Sequence, residues 1–169
     1  MSLPSQQHCY DLWDKYEMPE NIREHSRQVT KVADAVARHL KAQGIPVNLE
    51  LVNRGALLHD IAKIIGVKNP GQHHHAQLGF DLLSAQGIDQ NLAHIVGNHL
   101  MEVFDWKLGL EEQIVNYADK RVKHQQIVSL GDRINDLKER YPKSVDLIEA
   151  KLPYFIEFEK KYGLAEMQF

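Results

Sequence analysis

Gly55-Ala56-Leu57-Leu58-His59-Asp60-Ile61-Ala62-Lys63 is an apolar run that ends on an imidazole beside a carboxylate. Leu51, Val52, Ala56, Leu58 and Ile61 leave little polar face, which predicts a central, buried helix with Asn48 as its N-cap. An acid where that helix gives out meets the negative end of the helix dipole. A nearby cation would resolve the conflict. Adjacent helical residues differ by about 100°, so His59 and Asp60 converge only if the helix end overhangs a site.

Apolar residues recur at helical spacing on both sides of this run. Ile22, Val29, Val32, Val36 and Leu40 predict a helix over about 20–43, ended by Gly44 with Pro46 beyond it. Gly66 and Asn69-Pro70-Gly71 predict a loop. Helices are expected over about 74–86, ending at Gly87, and from an Asp89 cap to about His99. Glu111-Glu112 opens another, carrying Ile114, Val115, Ala118 and Val122, with acids at the positive end of its dipole. Two more are expected over about 129–140 and 144–163. No long alternating strand interrupts them. The expected class is all-α.

A chain of 169 residues fits one domain with a proper core. Its 25% charged and 43% hydrophobic residues are those of an ordinary globular protein. A net charge of −3 gives no basic footprint for a nucleic-acid partner. No run is long enough to span a bilayer, so no membrane partner is expected and the cytoplasm is the default location. A single cysteine, Cys9, excludes an internal disulfide and a Cys-based zinc site. It reads as a packed or surface thiol. The outlier is ten histidines.

His25, His59-Asp60, a His-rich stretch ending at His75, then His99 and Asp119 follow in that order. Imidazole nitrogen and carboxylate oxygen suit divalent iron, manganese, cobalt, nickel or zinc. Six such groups on several separate helices suggest two ions held close together and metal-assisted hydrolysis. Asp119 also sits in I-V-N-Y-A-D-K, one turn from Val115. An acid there has low helix propensity and is costly to bury without a partner. A salt-bridged surface Asp is the alternative.

This ordered set resembles that of the HD-domain metal-dependent phosphohydrolases, whose pattern is His, His-Asp, two further His in two-metal members, then Asp. V-A-D-A-V-A-R-H-L after His25, H-A-Q-L-G-F-D-L-L at His75 and I-V-G-N-H-L at His99 match as well. The resemblance covers roughly residues 20–135. It implies an HD-fold helical bundle over 20–140, with a helical extension at 1–19 and a C-terminal helix at 141–169 packed on it. It also implies that His25, His59, Asp60 and Asp119 hold one ion. Asp60 then bridges to a second, completed by His75 and His99. Within the run His73-His74-His75, only His75 has the family's spacing to a small residue, Gly79. His94 and His99 differ by about 140° on one helix, and the pattern favours His99. His8, His39 and His124 read as surface residues.

The implied activity is cleavage of a phosphoester or phosphoanhydride of a nucleotide or similar small molecule, by hydroxide held between the ions. Lys63 lies three residues past Asp60, where it can hold a phosphate oxygen or orient the carboxylate. It stands where HD enzymes of alarmones and nucleoside monophosphates tend to carry an acid, which argues against both subgroups. The closest resemblance is to small two-metal members, including bacterial diadenosine tetraphosphate hydrolases. Lys123, placed one turn beyond Asp119, and Arg133 are further phosphate-contact candidates. An idle metal or nucleotide sensor and a di-iron oxygenase are the alternative functions. Leu147, Ile148, Leu152, Phe155 and Phe158 form a C-terminal apolar stripe interrupted by Pro153. It reads as core cover, or else as a lid or dimer surface. The chain is expected to be a monomer or homodimer.

Overall fold

A computed structural model describes residues 2–68 and 74–169. The expected Asn69-Pro70-Gly71 loop and His73 lie outside the described residues. Among the described residues the protein is all-α apart from one hairpin of two two-residue strands.

The first helix, α1 (Gln6–Lys15), starts where Ser5 Oγ accepts from the His8 amide, and it buries Cys9, Leu12 and Trp13. Trp13 Nε1 donates to the Leu57 carbonyl at 2.9 Å, which ties it to the centre of the molecule. Burial pushes the Cys9 thiol up to about 11, so it is packed and inert. The long helix α2 (Glu20–Ala42) buries Val29, Val32, Ala33, Val36, Ala37 and Leu40, spaced three and four apart along one face. It ends at Gln43, and Gly44 supplies the left-handed turn at φ 81°.

The central helix, α3 (Leu49–Leu58), is capped by Asn48, whose side chain accepts from the Leu51 amide. It stops before the expected Ile61. Ile61 N bonds back to Leu58 O and Lys63 N to Asp60 O, both three residues back. These tight turns place His59 and Asp60 between α3 and the short α4 (Lys63–Lys68). Gly66, expected in a loop, lies inside α4, where a Cβ would sit 3.3 Å from that of His75.

Next come α5 (His75–Ala85) and α6 (Gln90–Gly97), the latter capped by Asp89 as expected. Helix α6 ends two residues earlier than predicted: Asn98 N bonds to His94 O and Ile95 O, and His99 follows outside the helix. In α7 (Leu110–Asp119), Glu112 accepts from the Gly109 amide at 2.7 Å, while Glu111 accepts from that of Asn48. Val122 was expected in this helix. It lies instead in β1 (Val122–Lys123), antiparallel to β2 (Gln126–Ile127), with His124 at φ 55° in the turn.

The chain closes with α8 (Leu130–Arg140) and α9 (Val145–Tyr162). Phe155 and Phe158 of α9 are fully buried, their rings 4.2 and 5.8 Å from Phe104. Leu147, part of the same apolar stripe, is 41% exposed. His39 is half-buried rather than a free surface residue, its Nε2 3.0 Å from the Tyr162 carbonyl. Among the described residues, no helix is long and apolar enough to cross a membrane.

Candidate metal centre

Five segments converge around Asp60. Helix α2 brings His25, the turn after α3 brings His59 and Asp60, and the first residue of α5 is His75. The stretch beyond α6 brings His99, and α7 ends on Asp119. All are buried except His75, which is half-buried. The six residues named from the sequence are therefore one cluster.

The imidazoles are aimed by backbone carbonyls. His25 Nδ1 lies 2.7 Å from the His124 carbonyl, His59 Nδ1 2.7 Å from that of Ala56, and His99 Nδ1 2.7 Å from that of Val96. A carbonyl only accepts, so each Nδ1 carries the hydrogen, and in the neutral ring Nε2 presents a lone pair. Those lone pairs face the cluster interior.

His25 Nε2 lies 2.9 Å from Asp119 Oδ1 and 3.8 Å from Asp60 Oδ2. His59 Nε2 lies 3.5 Å from Asp60 Oδ2 and 3.8 Å from Asp119 Oδ1. The other carboxylate oxygen, Asp60 Oδ1, lies 3.2 Å from His75 Nε2 and 3.6 Å from His99 Nε2, and those two nitrogens are 3.0 Å apart. Asp60 thus presents one oxygen to each pair of histidines. Two groups, His25–His59–Asp60 and Asp60–His75–His99, are close enough for each to hold a metal ion.

Two observations test whether a cation fits. His59 Nε2 is buried with no hydrogen-bond partner, and an orphaned buried acceptor is costly. His25 Nε2 and Asp119 Oδ1 are two acceptors in contact at 2.9 Å, which a proton or cation between them would reconcile. The donor set of imidazole and carboxylate is also that of divalent transition ions. The residues fit.

Burial holds the His59 imidazole down at about 3, against the pull of Asp60. Burial alone would raise Asp60, but His59, Lys63, His75 and His99 outweigh it and keep its carboxyl well below the usual range. Burial opposes ionisation of Asp119 too, and Lys120 and His25 outweigh it. His59, Asp60 and Asp119 are thus held in the deprotonated form that metal ligation requires.

Lys63 Nζ donates to Asp60 Oδ2 at 2.7 Å. Lys120, which sequence reasoning passed over, is buried beside Asp119. Its Nζ donates to Asp119 Oδ2 at 2.6 Å and to the His99 carbonyl at 3.1 Å. Helical spacing predicts Lys123 one turn beyond Asp119. Because α7 ends at Asp119, Lys123 instead lies on the hairpin, 3.6 Å from Asp136. Arg133 is buried against Asp136 at the edge of the cluster. His94 is exposed beside the Phe80 ring, and His74 is exposed at the start of α5. Helix rotation does not separate His94 from His99, since His99 is outside the helix. His124 contributes only its backbone carbonyl, a role invisible in its side chain.

The cluster opens on two cavities. One, of about 400 Å³, is lined by Ile22, His25, Lys63, Val67, Arg133 and Arg140 among others. The second, of about 370 Å³, has His75, His99, Met101, Leu137, Leu147 and Ile148 in its wall. Asp60, Lys63, Arg133 and Tyr141 border both.

The HD domain family model matches residues 22–134, and the chain belongs to the HD domain family. It is 34% identical over 75% of its length to a tRNA (cytidine(56)-2'-O)-methyltransferase of Thermoplasma volcanium, of which it spans 40%. An uncharacterized protein of Methanocaldococcus jannaschii is 31% identical over 74% of this chain and 80% of its own length. Ribonuclease Y of Treponema denticola is 28% identical over 86% of this chain, which spans 26% of that enzyme. No solved structure matches the chain.

Proposed function

We propose that the protein is a metal-dependent phosphohydrolase that cleaves a phosphoester or phosphoanhydride of a nucleotide or related small molecule. One observation carries this reading: the Asp60 carboxylate directs Oδ2 to His25 and His59 and Oδ1 to His75 and His99. That is the arrangement of a bridging ligand. His25, His59, Asp60 and Asp119 would hold one ion, and Asp60, His75 and His99 the second. Divalent ions there would supply Lewis acidity to a phosphoryl oxygen and make water acidic enough to ionise near neutral pH.

The chain's own residues do the rest. The carbonyls of Ala56, Val96 and His124 fix three imidazole tautomers. Lys63 and Arg133 border both cavities and would neutralise charge on the phosphoryl oxygens. Water adds to phosphorus, the bond to the leaving oxygen breaks, and the released phosphate and leaving group share the water's two protons.

The relatives named for RNA support a second reading, in which the phosphoester lies in RNA. The net charge of −3 offers no extended footprint for a long strand. Both readings meet the same experiment: nucleotides, simple phosphoesters and short RNA are screened anaerobically with manganese in labelled water. Phosphate carrying oxygen from water is expected. Turnover that demands iron and dioxygen, with label arriving from dioxygen, replaces the hydrolase with an oxygenase.

A further inference from the structure

The two cavities differ in chemistry, and the difference specifies a substrate shape. On one side of the cluster, Lys63, Arg133 and Arg140 line the 400 Å³ cavity. The counter-charge of the two arginines is Asp136, which accepts from Arg133 at 2.5 Å and Arg140 at 3.4 Å and faces Lys123 at 3.6 Å. One carboxylate thus faces three cations, while Lys63 is paired with Asp60. Arg133 is only 8% exposed, yet its buried Nε has no hydrogen-bond partner. A buried guanidinium N–H without an acceptor, on a side chain that lines a cationic cavity, is a donor that an anion could satisfy.

The 370 Å³ cavity on the other side is walled by Met101, Leu137, Leu147 and Ile148. Four large apolar side chains are exposed among the described residues: Val67, Tyr141, Leu147 and Ile156. Three of these line the two cavities. Tyr141 is 50% exposed and borders both, with the Arg140 guanidinium 5.6 Å from its ring centroid. Exposed apolar groups gathered at a cleft mark a recognition surface, and an aromatic face there suits a planar base.

We infer that the cleft takes a nucleotide in two parts, with the base against Leu147, Ile148 and Tyr141 and a second phosphoryl group beyond the metal cluster between Arg133 and Arg140. The substrate therefore carries at least two phosphoryl groups, one at the metals and one in the cationic cavity. This rests on the phosphohydrolase reading and adds the substrate class to it.

The test is calorimetric binding to full-length protein saturated with manganese, using ligands whose P–C–P bonds resist hydrolysis. Methylenediphosphonate should bind at least tenfold more tightly than methylphosphonate, and Arg140→Ala should shrink that ratio to under threefold. The α,β-methylene analogue of adenosine diphosphate should bind at least tenfold more tightly than methylenediphosphonate, and Leu147→Asp should remove that gain. Unchanged circular dichroism and melting temperature would show that both variants fold. Equal binding of the two phosphonates, or equal weakening of both by Arg140→Ala, overturns the anion site. Equal binding of the nucleotide analogue and methylenediphosphonate overturns the base site. Phosphate release by the wild type is followed in parallel. Its absence counts against the hydrolase reading, whereas lost selectivity with release intact counts against the two-part cleft alone.

Discussion

Lys63 Nζ lies 2.7 Å from Asp60 Oδ2, so the carboxylate set between two histidine pairs is met from a third side by a cation three residues along the chain. The pair joins the cluster to both cavities, because Asp60 and Lys63 border each. Lys63 is 42% exposed at its side chain, so it can exchange the carboxylate for a phosphoryl oxygen without leaving water entirely.

Lys63→Gln is therefore expected to lower kcat/KM for phosphate release by about 10²-fold, the scale for removing a donor that stabilises developing charge. Metal content should stay within error of the wild type, since no ligand is lost. Steady-state kinetics with elemental analysis checks both. Full activity would reduce Lys63 to a solvated residue at the start of α4.

Metal stoichiometry follows from the division of Asp60. Asp60→Ala should lose both ions and the thermal stabilisation that added manganese gives, which arises by mass action on the folded state. His75→Ala and His99→Ala should each retain one ion and lose most turnover, while His94→Ala stays near wild type. Elemental analysis and thermal shift decide this. Two ions retained in the His99 variant would contradict the second group.

Much of this was legible in the sequence because it is local. Asn48 and Asp89 act as caps through their own side chains, and Gly44 and Gly87 take positive φ just past helix ends. The six donors were legible through order and type. What could not be read depended on where helices stop. Leu58, Gly97 and Asp119 end their helices earlier than the apolar pattern does, because apolar periodicity continues through turns that are also buried. Lys123 was placed beside Asp119 and Lys120 passed over for that reason. Tyr141 and Arg140 had no signal, since the cleft they line joins segments far apart in the chain.

Close packing beneath the histidines gives a stability test. A Cβ on Gly79 would lie 2.6 Å from Val96 Cγ1, a short branched side chain with little room to move. Gly79→Ala should cost about 1–3 kcal/mol, the range for overpacking a core. That corresponds to a melting temperature lower by about 2–4 °C per kcal/mol for a chain of this size. Because Gly79 is one turn from His75, manganese affinity should fall with it. A variant as stable as the wild type would mean that α5 and α6 separate freely.

Acid should destabilise the metal-free protein. Burial holds His59 at about 3, below its ordinary 6.5, so the unfolded chain takes up a proton that the folded one refuses. The stability held by a neutral His59 is complete above pH 6.5 and is lost as pH falls toward 3. Asp60 and Asp119, both held low, are lost in the same direction at lower pH. Urea midpoints measured between pH 7.5 and 4 should therefore fall. A flat profile would show that His59 is not buried in its neutral form.

The last prediction concerns α9. Phe155 and Phe158 are fully buried, and their rings pack against Phe104, Trp106 and Tyr117. Tyr117 donates to Glu159 at 2.8 Å, and Arg121 donates to the same Tyr117 hydroxyl. Ending the chain before Ser144 removes α9, which would bare that aromatic cluster and leave Tyr117 and Arg121 without Glu159. Phe155→Ala alone should cost about 3–5 kcal/mol, as for a large buried ring replaced by a methyl group. The truncation should be insoluble, or molten: helical in the far ultraviolet, featureless in the near ultraviolet and bright with a hydrophobic dye. If α9 were a lid or a dimer surface, the truncated protein would instead stay soluble and unfold cooperatively. That outcome would reject α9 as core cover.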